Sequence, residues 1–384
     1  MPDDSPLLLD VTRLIWRRWK GRLPTGIDRV CLAYLRHFGP RSRAVIQHDR
    51  FRRILGRQAS LDLFALLEGP PSRFRAGFLM GIMRHLRGLN DDGQNRIYLN
   101  VGHTGLNSAG FRNWVAKSNV RPVYLVHDLI PITHPQFCRA GEADRHKDRM
   151  RNLLSTAAGV IGNSRSTLGE LARFAAAERL AMPPSHAAWL GMDPLPPRAL
   201  EPTSRPTFVT LGTIEGRKNH RLLLEVWSRL IDRLGSAAPQ LLIIGQRGWE
   251  AGPVFDILDE SEKLRTHVIE LSCCSDRELI EHLASARALL FPSFAEGFGL
   301  PLIEALAIGV PAIASDLPVF RETCGDIPTY LSPLDSSAWE TAILDYSAPG
   351  SLERSAQLER MENFVPPSWQ GHFESVETWL RALG

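Results

Sequence analysis

Cysteine is scarce here and badly spaced for its structural uses. The 384 residues contain five, Cys31, Cys138, Cys273, Cys274 and Cys324, with two of them adjacent and none forming a C-x-x-C pair. An odd count argues against a disulfide framework, and zinc sites need paired ligands, so reduced thiols are expected. No apolar run reaches the roughly 18 to 20 residues a membrane-spanning helix needs. The N-terminal MPDDSPLLLDVTRL places acids ahead of a short apolar run, opposite to a secretory signal, so a cytoplasmic location is expected. No internal repeat or low-complexity tract interrupts the chain. Lysine is rare as well: almost all of the 45 basic residues are arginine.

The net charge of +3 hides an asymmetry. The first hundred residues hold 18 basic against 9 acidic side chains, and the remainder is mildly acidic. Within that basic part RLIWRRWKGR (13–22), RFRRILGR (50–57) and FRAGFLMGIMRHLRG (74–88) interleave arginine with aromatic and aliphatic residues. Such stretches suit an anionic lipid surface, with apolar groups sunk among headgroups and guanidinium groups on phosphates. A plain solvated surface explains them equally well. Nucleic acid is not expected as a partner, because no recognised nucleic-acid motif accompanies the charge.

Length points to two domains. LLLDV (7–11), AVIQ (44–47), RIYLNVG (96–102), PVYLVHDL (122–129), GVIGNS (159–164) and HAAWLG (186–191) read as strands, alternating with amphipathic segments such as IDRVCLAYLRHF. SRSTLGELARFAAA predicts a helix capped by Ser164 or Ser166. The proline-rich PLPPRALEPTSRP then reads as a linker. Beyond it TFVTLG, LLIIG, HVIEL, ALLFPS and PAIAS repeat the strand and helix alternation. The expectation is α/β: two doubly wound, Rossmann-like domains, residues 1–195 and 207–365, joined by 196–206, with a last helix in 366–384 crossing back to the first domain. Ligands of such sheets lie beyond the carboxyl ends of the strands.

Two stretches of the second half carry the chemistry. In FPSFAEGFGLPLIEALAIG a strand runs into a glycine bend and then a helix, with Pro301 suited to its first turn. Gly297 and Gly299 leave backbone N–H groups accessible, and the helix start favours an anion. Glu296 precedes the bend and Glu304 is placed in the first helical turn. Carboxylates separated in this way do not converge on one bond, so they read as hydroxyl anchors at two ends of an extended ligand. In FVTLGTIEGRKNHRLLLEVW, Arg217 and Lys218 stand directly before a helix, where they can neutralise a leaving diphosphate.

Together these stretches, with LLIIGQRGWE and SDRELIEHLASARALLFPSFAEGFGLPLIEALAIGVPAIASDLPVFRETCGD, resemble the donor domain of the GT-B retaining glycosyltransferases of family 4 type, from residue 207 to 326. The resemblance implies that Glu296 meets the transferred sugar, that the amides of Phe298, Gly299 and Leu300 approach sugar and phosphate, and that Glu304 holds the ribose. It assigns Lys218 and Arg217 to the diphosphate, beside Gly212, and places Arg247 of the QRGW loop and Cys273 at the base. Many members carry arginine right after the glycine of the first donor strand. Here that position is Thr213, and Arg217 is expected to substitute. In the N-terminal half Thr25-Gly26 matches a glycine-containing loop near the phosphates, and His127 of YLVHDLIP matches a histidine near the transferred sugar, a satisfied core histidine being the alternative. Asp128, His103 and Asn107 are acceptor-side candidates, against plain loop structure.

No Asp-x-Asp occurs, so the metal-held diphosphate of the other common glycosyltransferase fold lacks its ligands, and no metal or other cofactor is expected. The expected partners are a nucleotide-sugar donor and an oligosaccharide or polyprenyl-diphosphate-linked acceptor. The GTIEGRKN form resembles members that use GDP-mannose in surface polysaccharide synthesis. A nucleotide-sugar epimerase and a non-catalytic partner subunit are the competing readings.

Overall fold

The computed structural model describes residues 6–21, 25–48, 51–85, 93–193 and 205–383. Most of the expected linker 196–206 lies outside them. The chain divides into two compact units. The first comprises residues 1–129, 144–190 and 369–384, and the second 130–143 and 191–368. The excursion of 130–143 into the second unit is absent from the boundaries drawn on the sequence.

The first unit is built on a seven-stranded sheet. Its strands are β1 (Leu7–Asp10), β2 (Ser42–His48), β3 (Phe51–Ile54), β4 (Ile97–Asn100), β5 (Arg121–Val126), β6 (Gly159–Gly162) and β7 (Ser185–Ala187), in the order β3-β2-β1-β4-β5-β6-β7. All neighbours pair in parallel except β2 and β3. Leu8, Val45, Tyr98, Val123 and Val160 are buried to within 1%. The unbroken apolar runs in these strands reflect a sheet buried on both faces. Each fully buried aliphatic side chain contributes about 1.5–3 kcal/mol.

β3 departs from the sequence expectation. FRRI was grouped with a basic surface stretch, but the antiparallel register pairs Val45 with Ile54 and Gln47 with Arg52. Arg52 is buried, its Nε donating to Gln47 Oε1 at 3.1 Å. The basic helix Thr12–Lys20 is similarly tied down. Asp28 accepts from Arg13 Nε at 2.7 Å and Arg17 Nε at 2.6 Å, while Arg18 donates to the Leu67 carbonyl at 2.9 Å. Several guanidinium groups of these basic stretches therefore hold helices together.

Ser164, not Ser166, caps the helix Arg165–Ala177, accepting from the Thr167 amide at 3.0 Å. The last helix, Trp369–Ala382, packs within the first unit. His372 bridges Trp189 O at 2.9 Å and Tyr34 Oη at 3.0 Å, and Phe373 stacks on His37 with centroids 4.0 Å apart. Glu377 takes His37 Nε2 at 2.5 Å and also pairs with Arg41.

The second unit has a six-stranded parallel sheet. Its strands are β8 (Thr207–Leu211), β9 (Gln240–Ile244), β10 (Val268–Leu271), β11 (Ala288–Phe291), β12 (Ala312–Ser315) and β13 (Thr329–Leu331), in the order β10-β9-β8-β11-β12-β13. β13 was not anticipated; its three residues are only half-buried and carry little pattern. β8 and β11 are adjacent at the sheet centre, so the loops that leave their carboxyl ends meet, and these loops carry Lys218 and Glu296.

Candidate functional site

β8 ends in Gly212, whose φ of +122° suits glycine. The chain then turns through Thr213, Ile214 and Glu215 into the short 3-10 turn Gly216–Lys218, ahead of the helix His220–Leu234. From β11 it passes Ser293 and Phe294 to Glu296, bends at Gly299 with φ +90°, and enters the helix Leu300–Ala307 with Pro301 in its first turn. A Cβ on Gly299 would lie 2.6 Å from the Phe320 ring, so this bend depends on glycine for packing as well as for conformation. Phe298 is buried, and Gly297 is half-buried.

The two loops converge on one carboxylate. Glu296 Oε1 receives Lys218 Nζ at 2.6 Å and Ser293 Oγ at 2.7 Å; Oε2 pairs with Arg217 Nη1 at 2.8 Å. The Glu296 and Lys218 side chains are 8% and 9% exposed, which takes the pair largely out of water. Arg217 also pairs through Nε with Glu215 Oε1 at 2.7 Å and donates from Nη1 to Ala295 O at 2.9 Å. Lys218 Nζ stands 4.5 Å from the Phe291 ring centroid. Burial alone would raise the Glu296 carboxyl, but Arg217 and Lys218 outweigh it and hold it down to about 2. Burial lowers Lys218, with Glu296 opposing. Glu215 is raised, by burial foremost, against the pull of Arg217 and Lys218.

Sequence reasoning named Glu296, Lys218 and Arg217 but missed Glu215 and Ser293. An acid two residues before an arginine in a tight turn was a local cue to the first. It also placed Glu304 in the first helical turn. The helix starts at Leu300, which puts half-buried Glu304 in the second turn. Leu300 is half-buried at the helix start.

Thr213 packs beside the loop after β9. A Cβ on Gly248 would come within 2.5 Å of Thr213 Cγ2, and one on Gly245 within 1.9 Å of Gly212 O. Arg247 of that loop is ion-paired on both sides. Nη1 and Nη2 bond Asp259 at 2.7 and 2.6 Å, while Nε and Nη2 bond Glu270 at 2.9 and 2.7 Å. Cys273 is exposed after β10. The segment 130–143 contributes to this unit's loops: Phe137 stacks on Phe294 with centroids 5.0 Å apart, and Arg139 lies 5.3 Å from the Trp249 ring.

The first unit has its own cluster at the carboxyl end of β5. His127 is buried, and its Nε2 bonds the Val101 carbonyl at 2.7 Å; His103, with φ +55°, bonds the Leu125 carbonyl at 2.8 Å. Each Nε2 therefore carries the proton, leaving Nδ1 as the acceptor. The two rings are 5.2 Å apart, and His146 lies 6.0 Å from His103. Asp128 is half-buried, and its carbonyl faces His146 Nε2 at 3.3 Å; Asn107 is exposed in a turn. Gly26 is exposed at a helix start. It is the first residue of the helix Gly26–Phe38, behind Thr25, whose N–H donates to Asp28 Oδ2 at 2.7 Å.

Burial holds His127 and His372 down to about 4 and His220 to about 3. These rings stay neutral when folded but take a proton in the unfolded chain below the ordinary value near 6.5. Their contribution is complete above pH 6.5 and is lost as pH falls from 6.5 towards 4. Glu296 stays ionised there, and its contribution is lost only between about 4.5 and 2. Urea midpoints should therefore begin to fall below pH 6.5, and a midpoint flat from pH 7.5 to 4.5 would contradict this.

Comparison with known proteins agrees with this geometry. Residues 193–333 match the family model described as Glycosyl transferases group 1. The serotype-specific mannosyltransferase WbdA of Escherichia coli is 28% identical over 284 residues, 68% of this chain but 33% of WbdA. This chain thus spans about a third of the length of that relative. The O-antigen chain mannosyltransferase RfbU of Salmonella typhimurium is 42% identical over 119 residues, covering 31% of this chain and 32% of RfbU. Among solved structures, Anabaena HepE in complex with UDP superposes with TM-score 0.63 at 13% identity, covering 98% of this chain and 99% of that one. Sucrose-phosphate synthase from Thermosynechococcus elongatus gives 0.60 at 15% identity, covering 99% of each chain. The fold is that of the GT-B glycosyltransferases. Segment 193–333 resembles the glycosyl transferases group 1 family, and the two curated relatives named above are mannosyltransferases.

Proposed function

We propose that this protein is a retaining, metal-independent glycosyltransferase of surface polysaccharide synthesis that moves mannose from GDP-mannose to a growing lipid-linked oligosaccharide. The observation that carries the proposal is the single carboxylate, Glu296, held between Lys218 and Arg217 at the carboxyl ends of two adjacent central strands. Matched relatives that act on O-antigen chains as mannosyltransferases support the donor class and the pathway.

In this reading Glu296 bonds hydroxyls of the transferred sugar, and Glu304 holds the ribose from the second turn of its helix. Lys218 and Arg217 meet the charge that grows on the leaving diphosphate, aided by the amides after Glu296. Two cations already placed cost little reorganisation when that charge appears, so the glycosidic bond can break early. The acceptor hydroxyl then attacks from the face the diphosphate leaves, which keeps the anomeric configuration. His127, with Nε2 committed to Val101, offers Nδ1 as a positioning acceptor rather than a nucleophile. The protein works at the cytoplasmic side, with its basic first unit against the membrane.

Glu304→Ala tests the ribose assignment. Losing a charge-assisted hydrogen bond of about 1.5–3 kcal/mol should weaken GDP binding roughly tenfold to a hundredfold in calorimetry. An unchanged dissociation constant removes Glu304 from the site. Conversion of the donor sugar without any acceptor would instead favour an epimerase.

A further inference from the structure

A second concave feature lies wholly in the first unit, and the chemistry above does not use it. It is a cavity of about 770 Å³, within the roughly 300–1,000 Å³ typical of ligand sites. It opens between the helices Thr12–Lys20, Arg57–Glu68 and Pro71–His85 and the ends of β2 and β3. Its wall is mostly apolar: Trp16, Trp19, Phe51, Leu63, Phe78 and Leu79. Phe51 and Leu79 are each 50% exposed, an uncommon state for such side chains when they cluster. The polar residue at its inner end is already satisfied. Gln47 donates to Asp10 Oδ2 at 2.6 Å and to Tyr98 Oη at 2.7 Å, and accepts from Arg52.

The rim is cationic. Arg53, 5.4 Å from the Phe51 ring, and Arg57 are in the lining, and outside it Lys20 lies 5.9 Å from the Trp16 ring while Arg75 donates to the Trp19 carbonyl at 3.0 and 2.7 Å. Asp62 is the one acidic residue in the lining. A neutral apolar peptide has no use for such a rim, whereas a long chain ending in a phosphate matches both parts. Placement agrees too. Thr12 and His48, at the carboxyl ends of β1 and β2, line the cavity, and His127 follows β5 at the same edge of this parallel sheet.

We infer that this cavity takes the hydrocarbon chain of a single phosphorylated lipid, drawn out of the bilayer, with its phosphate on Arg53 and Arg57. The inference deepens the proposed function and rests on it: the occupant is the lipid of the acceptor, and its sugar end lies on the His127 side. Decyl phosphate, used below its micelle concentration, is a soluble probe, and Trp16 and Trp19 in the wall report its entry by fluorescence.

The expected result is saturable quenching or a blue shift, with affinity at least tenfold tighter for decyl phosphate than for decanol or inorganic phosphate. Gly81 lines the cavity, and a Cβ there meets nothing within 4 Å. Gly81→Phe should therefore fill the space and weaken decyl phosphate at least tenfold without lowering Tm. Arg53→Glu with Arg57→Glu should weaken decyl phosphate but leave decanol unchanged, and this pair decides the matter if Gly81→Phe misfolds. Equal binding by wild type and both variants overturns the inference. So does binding only to anionic phosphatidylglycerol vesicles, which would mean surface attraction without a seated chain. GDP affinity, measured on the same samples, separates the two claims: GDP binding without decyl phosphate binding sinks only the cavity, and the reverse sinks the transferase reading.

Discussion

Glu296→Gln lowers the rate of sugar transfer by about 10²–10³-fold, the scale seen when one preorganised electrostatic contact is lost. The shape is kept and only the charge is removed, so the effect isolates what that charge does. In the proposed mechanism Glu296 anchors the sugar, and its charge also favours the ammonium form of Lys218. Burial lowers Lys218, and Glu296 is the largest influence raising it. Without the carboxylate, the burial that lowers Lys218 is opposed less, so the ammonium is less firmly held for a leaving diphosphate. Stability falls as well. Removing one partner of a buried pair costs about 3–5 kcal/mol, an upper figure here because Lys218 can shed its proton. A variant that folds yet transfers sugar at the wild-type rate removes Glu296 from the mechanism.

Lys218→Met has the second largest effect, and it differs in kind. Methionine keeps an apolar stem of similar length and removes the ammonium that stands over the Phe291 ring. Arg217 remains on Glu296 Oε2, and Ser293 on Oε1, so the carboxylate is still partnered and stability falls less than in Glu296→Gln. The loss concentrates where charge develops on the diphosphate. The fall in kcat should be about a hundredfold, with a smaller change in donor KM. Steady-state kinetics check it; an equal loss in ground-state donor binding, with kcat unchanged, would make Lys218 a binding residue only.

Much of this was legible in sequence because it is local. The run from ALLFPS through the glycine bend to LPLIEALAIG is strand, loop and helix within twenty residues, and Gly299 and Pro301 mark its turn and helix start. RKN before an amphipathic helix is equally local. What stayed hidden is long-range or depends on a boundary. Lys218 and Glu296 are 78 positions apart, and only the adjacency of β8 and β11 brings them to 2.6 Å. Glu304 lies one turn further into its helix than expected, because it is the fifth residue counted from Leu300. The ion pairs of Arg247 were equally hidden, because Asp259 and Glu270 lie on other elements. β3 was disguised by its two arginines, of which Arg52 turns inward to donate to Gln47 and to Ser108 across the fold. The stacking of Phe137 on Phe294 depends on a segment that leaves one unit for the other, which no periodicity announces.

Nucleotide recognition is the claim on which the rest depends. Thermal unfolding of the purified chain with GDP, UDP, dTDP and ADP tests it most directly. At about 100 times its dissociation constant a ligand adds roughly 2.7 kcal/mol to the native state, a shift of several degrees. The account predicts that one diphosphate, GDP, raises Tm well above the other three, and that Glu304→Ala diminishes the rise. Four flat curves at millimolar nucleotide would contradict it and leave a glycosyltransferase fold without a working donor site.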